Sequence, residues 1–202
     1  MSLFRFLPAT LAPALVTLAF AGATRAAPVE WKVEDGGNGH YYELVRPGTN
    51  PGPSWTAARD AAAAMSFGGA AGHLATVTSA AEHQFINEQF PPFTVIAWIG
   101  GVQDPDPTPG TGADQGWSWI TGEPWGYRHF QVGQPDDDVG FGGNGECLHL
   151  VNDAGEWNDN SDLGTPTGYV VEFPIVPEPT SAALLLTLGG LALLRRTPGT
   201  PR

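Results

Sequence analysis

The chain has 202 residues, a formal net charge of −12, 42% hydrophobic residues and only 15% charged ones. That balance excludes a disordered, self-repelling chain, and the acidity excludes a nucleic-acid partner, whose phosphates need clustered Lys and Arg. A single Cys excludes an internal disulfide framework and a Cys-based zinc site, while 27 Gly, 19 Pro, 7 Trp and 10 Phe suggest one loop-rich domain with an aromatic core.

Residues 1–27 read as a secretory signal peptide. Arg5 supplies the positive start, Leu7 to Phe20 the apolar stretch, and Ala21-Gly22-Ala23 and Thr24-Arg25-Ala26 the small-residue cleavage candidates. The body of the chain, residues 28–175, follows. Tyr41 to Val45 reads as a strand rich in aromatic and β-branched residues. Ser54 is a candidate N-cap for a helix from Trp55 to about Met65, stopped by Gly68-Gly69. Leu74 to Val77 is a short extended segment. Ser79-Ala80-Ala81-Glu82 has the pattern of a capping box and opens a second helix to about Phe90, which Pro91-Pro92 ends.

Val95 to Gly100 fits a buried strand, and Trp117 to Ile120 alternates as a strand should. Residues 122–145 form a long irregular segment. Glu146 to Val151, Glu156-Trp157 and Tyr169 to Phe173 complete a set of short strands. Two helices followed by strands and long loops predict an α+β fold, and long loops in a compact domain are usually functional. Trp55, Trp98, Trp117, Trp119 and Trp157 are expected in the core. The five His are scattered without metal-ligand spacing.

At the end of the chain, Pro177-Glu178-Pro179 precedes an apolar run, Ser181 to Leu194, closed by Arg195-Arg196. As a helix the run would be about 21 Å long, short against a hydrocarbon core of ~30 Å, and it spans only with snorkelling arginines or local thinning. Residues 176–202 resemble the PEP-CTERM sorting signal of Gram-negative bacteria. That resemblance implies a membrane-inserted tail, recognition by an exosortase-type processing enzyme, and export to the cell surface, the outer membrane or the extracellular matrix.

The chemistry is concentrated between Arg128 and Arg195, a stretch with no Lys or Arg. Gln134-Pro135-Asp136 places two side-chain oxygens around a proline, Glu146 follows a Gly-rich loop, and Asn158-Asp159 offers an amide and a carboxylate in tandem. Carboxylates plus amide carbonyls, with no His or Cys among them, suit Ca²⁺, which takes about 6–8 oxygens. Asp136, Asp137 and Asp138 with Glu146 could mimic a glycosidase pair, but calcium explains the same residues better, so no enzyme is expected.

From Tyr41 to Phe173 the chain resembles a C-type lectin domain. The landmarks come in order: Ser54 to Arg59, Gly72 to Val77, Ser79 to Glu82, Ala97 to Gly101, Gly116 to Trp119, Gly122-Glu123-Pro124, Gln134-Pro135-Asp136 and Trp157-Asn158-Asp159. The resemblance implies a C-type lectin-like fold with two helices, short mostly antiparallel strands and a long calcium-binding loop. It implies a Ca²⁺ site on Gln134, Asp136, Glu146, Asn158 and Asp159, with a cis Pro135. Sugar hydroxyls would bind the ion and Gln134, Asp136, Glu146 and Asn158, and the Gln-Pro-Asp order goes with galactose-type glycans.

Three departures from the family stand out. Asp138 occupies the place of the usual stacking Trp, with Phe141 as the substitute from the loop. Leu148 and Val171 stand where two family cysteines would be. Cys147 falls where some members place a ligand of an auxiliary Ca²⁺ site, whose remaining candidates are Asp104 and Asp137. The alternative function is a non-catalytic protein-binding or structural adhesion module of an exopolysaccharide matrix.

Overall fold

The computed structural model describes residues 27–90, 96–104, 113–137, 146–164 and 166–174. The expected signal peptide up to its last residue, the Pro177-Glu178-Pro179 and Arg195-Arg196 tail, and Phe141 therefore lie outside the described residues. In chain order the elements are β1 (Val29–Glu30), a 3-10 turn (Val33–Asp35), β2 (Tyr41–Val45), α1 (Trp55–Ala63), β3 (Ser66–Phe67), β4 (Ala70–Ala71), β5 (His73–Leu74), α2 (Ala80–Gln89), β6 (Ala97–Gln103), β7 (Trp117–Trp119), β8 (Cys147–Val151), β9 (Glu156–Asn160) and β10 (Gly168–Phe173).

Among the described residues one sheet has the path β1-β2-β10-β6-β8-β9, with β5 added on β10 and β7 on β6; β3 and β4 form a separate ribbon. The pairings are antiparallel except β10 with β6, where Gly168 meets Ala97 and Tyr169 meets Trp98 in parallel. This is the α+β arrangement the element order predicts.

The sheet is buried on both faces, which is why β10 reads as a run of buried residues rather than an alternation. Side-chain alternation sorts neighbours to opposite faces. Val170, Ile99, Leu148, Leu150 and Trp157 join one cluster with Tyr42, Ile86, Trp117 and Trp119. Tyr169, Val171, Phe173, Trp98 and Cys147 join the other, against Trp55, Ala58 and Ala62 of α1. The five tryptophans expected in the core are all there, at 6% exposure or less, and Trp31 joins them. Leu148 and Val171, which replace family cysteines, are each fully buried. Apolar packing occupies the place of the missing cross-links there.

Both predicted N-caps form. Ser54 Oγ accepts from Ala57 N at 3.1 Å, and Ser79 Oγ accepts from Glu82 N at 3.1 Å. The return half of the capping box does not. Glu82 accepts instead from the backbone N–H of Thr78, at 2.7 Å, and from its hydroxyl, at 2.9 Å. Helix α1 stops at Ala63, short of Met65, because residues after it enter the β3–β4 ribbon. Gly68 and Gly69 turn that ribbon at φ 58° and 90°, the left-handed region two-residue hairpins need. The glycines read as helix stops are hairpin residues.

Candidate functional site

The site is built on β9, the last strand in the path of the sheet. Its inner edge pairs with β8, Leu148 opposite Asp159 and His149 opposite Asn158. Its outer edge takes a strap of chain. Trp157 N donates to His129 O at 2.8 Å and Gln131 N donates to Trp157 O at 2.9 Å. The strap then turns at residues 131–134, closed by Gln134 N donating to Gln131 O at 2.9 Å, with Gly133 at φ 92°. That turn delivers Gln134-Pro135-Asp136 to the open edge of β9.

Aromatic packing holds the strap down. Phe130 and Tyr127 meet Trp157 edge-on, at 5.8 and 5.6 Å between centroids, and Trp125 lies 4.8 Å from Trp119. Edge-to-face contacts of this kind add about 0.5–1.5 kcal/mol beyond area burial. Trp125, Tyr127 and Phe130 are thus anchors of the strap.

Three of the five predicted ligands are joined directly. Gln134 Nε2 donates to Asp136 Oδ2 at 3.2 Å. Asp159 Oδ1 and Oδ2 accept from the backbone N–H groups of Asp136 and Asp137, at 3.2 and 2.9 Å. Asp159 is 2% exposed. Burial pushes its pKa up; the Asp136 charge adds to this, and the backbone N–H bonds oppose it. Asp137 adopts φ 58°, so the turn that Asp159 clamps contains a left-handed residue. The Gln134–Pro135 peptide bond is cis, as the resemblance implies.

Asn158 and Asp159 are consecutive on a strand, so their side chains leave on opposite faces. One ion can meet both only beside the strand's edge, where the Gln134 turn lies. Glu146 precedes β8, its carbonyl accepting from Gln103 N at 2.8 Å. Among the described residues no three His, Cys, Asp or Glu side chains converge as a metal-holding group. The acids alone do not make the site.

The amides decide whether these residues suit a cation. Gln134 Oε1 and Asn158 Oδ1 are both buried without a hydrogen-bond partner. An orphaned buried carbonyl costs roughly 1–3 kcal/mol, and a hard cation satisfies it with no donor needed. The Asp159 carboxylate accepts from the N–H groups of Asp136 and Asp137 and from its own, and of its roughly four lone-pair sites one is left. Two orphaned amide oxygens, the Asp159 carboxylate with its remaining lone pair and exposed Asp136 fit Ca²⁺ and do not fit a thiolate- or imidazole-seeking metal.

The sequence did not reveal two features of the site: the clamp that Asp159 forms on backbone N–H groups, and the ring contact between His83 and His129, 4.1 Å between centroids. The first involves main-chain donors that carry no sequence signal. The second joins residues 46 positions apart.

The Lectin C-type domain family profile matches residues 54–169. The asialoglycoprotein receptor 1 of Rattus norvegicus is 34% identical over 92 residues, 44% of this chain and 28% of that protein. The chain thus spans under a third of that relative's length. Among solved structures, the C-type lectin CEL-I from Cucumaria echinata superposes with a TM-score of 0.51 at 22% identity, over 68% of this chain and 91% of that one. The mouse scavenger receptor C-type lectin carbohydrate-recognition domain gives 0.51 at 21% identity, over 69% and 92%. The herring type II antifreeze protein gives 0.51 at 20%, over 69% and 94%. At these identities the structural likenesses establish the fold. The profile, matched over more than half the chain, establishes the family: this chain belongs to the C-type lectin domain family, whose members are generally non-enzymatic, carbohydrate-binding domains.

Proposed function

We propose that the chain is a secreted, surface-sorted lectin that binds a galactose-type glycan or matrix polysaccharide in a calcium-dependent way. The observation that carries this reading is the pair of buried, unpartnered amide oxygens, Gln134 Oε1 and Asn158 Oδ1, on residues next in sequence to the Asp159 clamp and its turn. Ca²⁺ bound there would supply open coordination positions for a pair of sugar hydroxyls.

The chain's own residues do the rest. Asp159 fixes the turn by its two backbone N–H bonds, so Gln134 and Asp136 are presented on a held loop. The carboxylates of Asp136 and Glu146 accept from sugar hydroxyls, and the Gln134 and Asn158 amides donate. Exchanging acid and amide across the site reverses the donor and acceptor directions a sugar meets. Glu146 closes the ligand set from the start of β8, and Phe141 offers the apolar face for a sugar ring. Residues 1–27 and 176–202 export the domain and deliver it, through membrane insertion and an exosortase-type enzyme, to the surface or matrix.

A glycan array with Ca²⁺ and with EDTA tests the reading. Galactose-terminated ligands are expected to bind only with Ca²⁺, and Gln134→Glu with Asp136→Asn is expected to shift preference toward mannose-type ligands. Calcium-independent binding, or none, would sink it.

One observation favours the alternative, a non-catalytic adhesion module that engages protein. Asp159 already serves the turn through backbone N–H bonds, and no three acids converge among the described residues. Adhesion unchanged by EDTA and by free galactose would select that alternative.

A further inference from the structure

On the α2 side of the sheet, away from the β9 edge, lies a polar hub the sequence did not announce. Glu82 of α2 is 2% exposed and Glu172 of β10 is 1% exposed. Tyr42 of β2 stands between them, its hydroxyl 2.5 Å from Glu82 Oε1 and 3.2 Å from Glu172 Oε1, while accepting from Asn38 Nδ2 at 2.8 Å. His40 Nδ1 lies 2.6 Å from Glu172 Oε1. Thr76 N donates to Glu172 Oε2 at 2.9 Å. The Thr76 hydroxyl faces Glu172 Oε2 at 3.0 Å and also a short contact with Glu123.

Counting protons shows what the hub lacks. The Tyr42 hydroxyl has one proton and two carboxylate neighbours; so has the Thr76 hydroxyl. Each can bridge one carboxylate and leaves the other facing an oxygen. The titratable groups that face the hub are His40 just before β2, Tyr42 from β2, His73 from β5, Glu82 from α2, Glu123 from the turn after β7 and Glu172 from β10. Neither Lys nor Arg is among them. With all three glutamates ionised and both histidines neutral, three negative charges would share a largely buried space. Such burial is costly unless the charge is paired.

We propose that the hub is a proton-linked latch: one proton, held between His40 and the Glu82 and Glu172 carboxylates, fastens α2 to the sheet, and its loss above neutral pH loosens that helix. The inference stands apart from the calcium reading, since it uses none of the same residues. His40, with 24% of its side chain exposed against 1% for Glu172, is the route by which solvent reaches the proton.

The directions of titration agree. The bond to Glu172 raises the pKa of His40 above its ordinary 6.5, and burial raises that of Glu82 above 4.5. Burial also acts to raise Glu172, but its bond to His40 and the nearby His73 charge outweigh this and leave it lowered. Groups with a raised folded pKa stabilise at lower pH and lose that contribution as pH rises through the folded value. His40 and Glu82 both carry this sign. Lowered Glu172 adds loss only on the acid side of 4.5. His83 and His149, whose folded pKa values are lowered, oppose the latch only below about 6.5, where unfolded histidine takes up protons.

The test is urea unfolding of the full chain in EDTA from pH 6.5 to 8.5, with amide exchange read at α2. Release of one proton raises the unfolding equilibrium constant by up to tenfold per pH unit. The parent is expected to approach that slope across the step. His40→Gln, which keeps a donor but no titration, and Glu82→Gln are expected to flatten it, and α2 protection should then cease to depend on pH. A parent slope below twofold per unit, or slopes unchanged in both variants, would overturn the latch. If the variants do not fold, the parent is followed by infrared at its carboxyl band and by the imidazole signal of His40. A step in either between pH 6.5 and 8.5 supports the latch, and no step in either overturns it.

Discussion

Removing the Asp159 carboxylate separates the two roles it plays. In Asp159→Ala the N–H groups of Asp136 and Asp137 lose acceptors at 3.2 and 2.9 Å. Hydrogen bonds to a charged acceptor contribute about 1.5–3 kcal/mol each. The longer bond counts at the low end, and Asp136 and Asp137 are exposed enough for water to replace part of the loss. The expected cost in EDTA is therefore about 2–4 kcal/mol, and Asp159→Asn, which keeps one acceptor oxygen, should lose about half.

Calcium adds a second contribution on top. At about 100 times its dissociation constant it should stabilise the parent by about 2.7 kcal/mol, a melting shift of roughly 5–10 °C for a domain this size. Neither variant should show it. Scanning calorimetry or urea titration, with and without EDTA, reads both quantities. A loss under about 0.5 kcal/mol in EDTA would refute the clamp. A calcium shift that survives Asp159→Ala would refute the ligand set while leaving the clamp intact.

Other outcomes follow from single positions. A Cβ at Gly100 would lie 2.7 Å from the backbone oxygen of Leu74, which cannot rotate away; Gly100→Ala should cost about 1–3 kcal/mol by urea unfolding. Ser54→Ala, which deletes the cap on α1, should cost about 0.5–2 kcal/mol and should raise amide exchange in the first turn of that helix. His149 is 3% exposed with both ring nitrogens unpartnered, and burial pulls its pKa down to about 4. Its contribution is therefore present above pH 6.5 and lost as pH falls toward 4, at most about 3 kcal/mol. His149→Leu should flatten that acid limb in unfolding titrations, and an unchanged limb would show that other groups carry it.

Local patterns in the sequence determined much of this protein. Tyr41–Val45 is a strand because aromatic and β-branched residues crowd a helix and suit a pleated face. Ser54 and Ser79 start helices because a hydroxyl one residue ahead of a helix meets its free N–H groups. The ordered landmarks from Ser54 to Asp159 carry the family resemblance, since they include both helix starts, core tryptophans and the residues of the turn. The oxygen-donor types of Gln134, Asp136, Glu146, Asn158 and Asp159 are readable in the sequence, because ligand chemistry is a property of side-chain type.

Tertiary structure decided the rest. Glu82 looked like half of a capping box, yet its carboxylate goes to Thr78 and Tyr42, because Tyr42 faces α2 from the sheet and offers a hydroxyl in a buried space. Glu172 sat in an apolar run, and only strand pairing, which sets it opposite Tyr42, gave its charge His40 and Thr76. The Asp159 clamp uses main-chain donors 22 and 23 residues away. Which face Asn158 and Asp159 each take, and that one ion could meet both only from an edge, depends on β9 having, among the described residues, no strand on its outer side. Burial, partner and edge are properties of how distant segments meet. A pattern read along one segment contains the residue types but not the neighbours that fix their charge and their work.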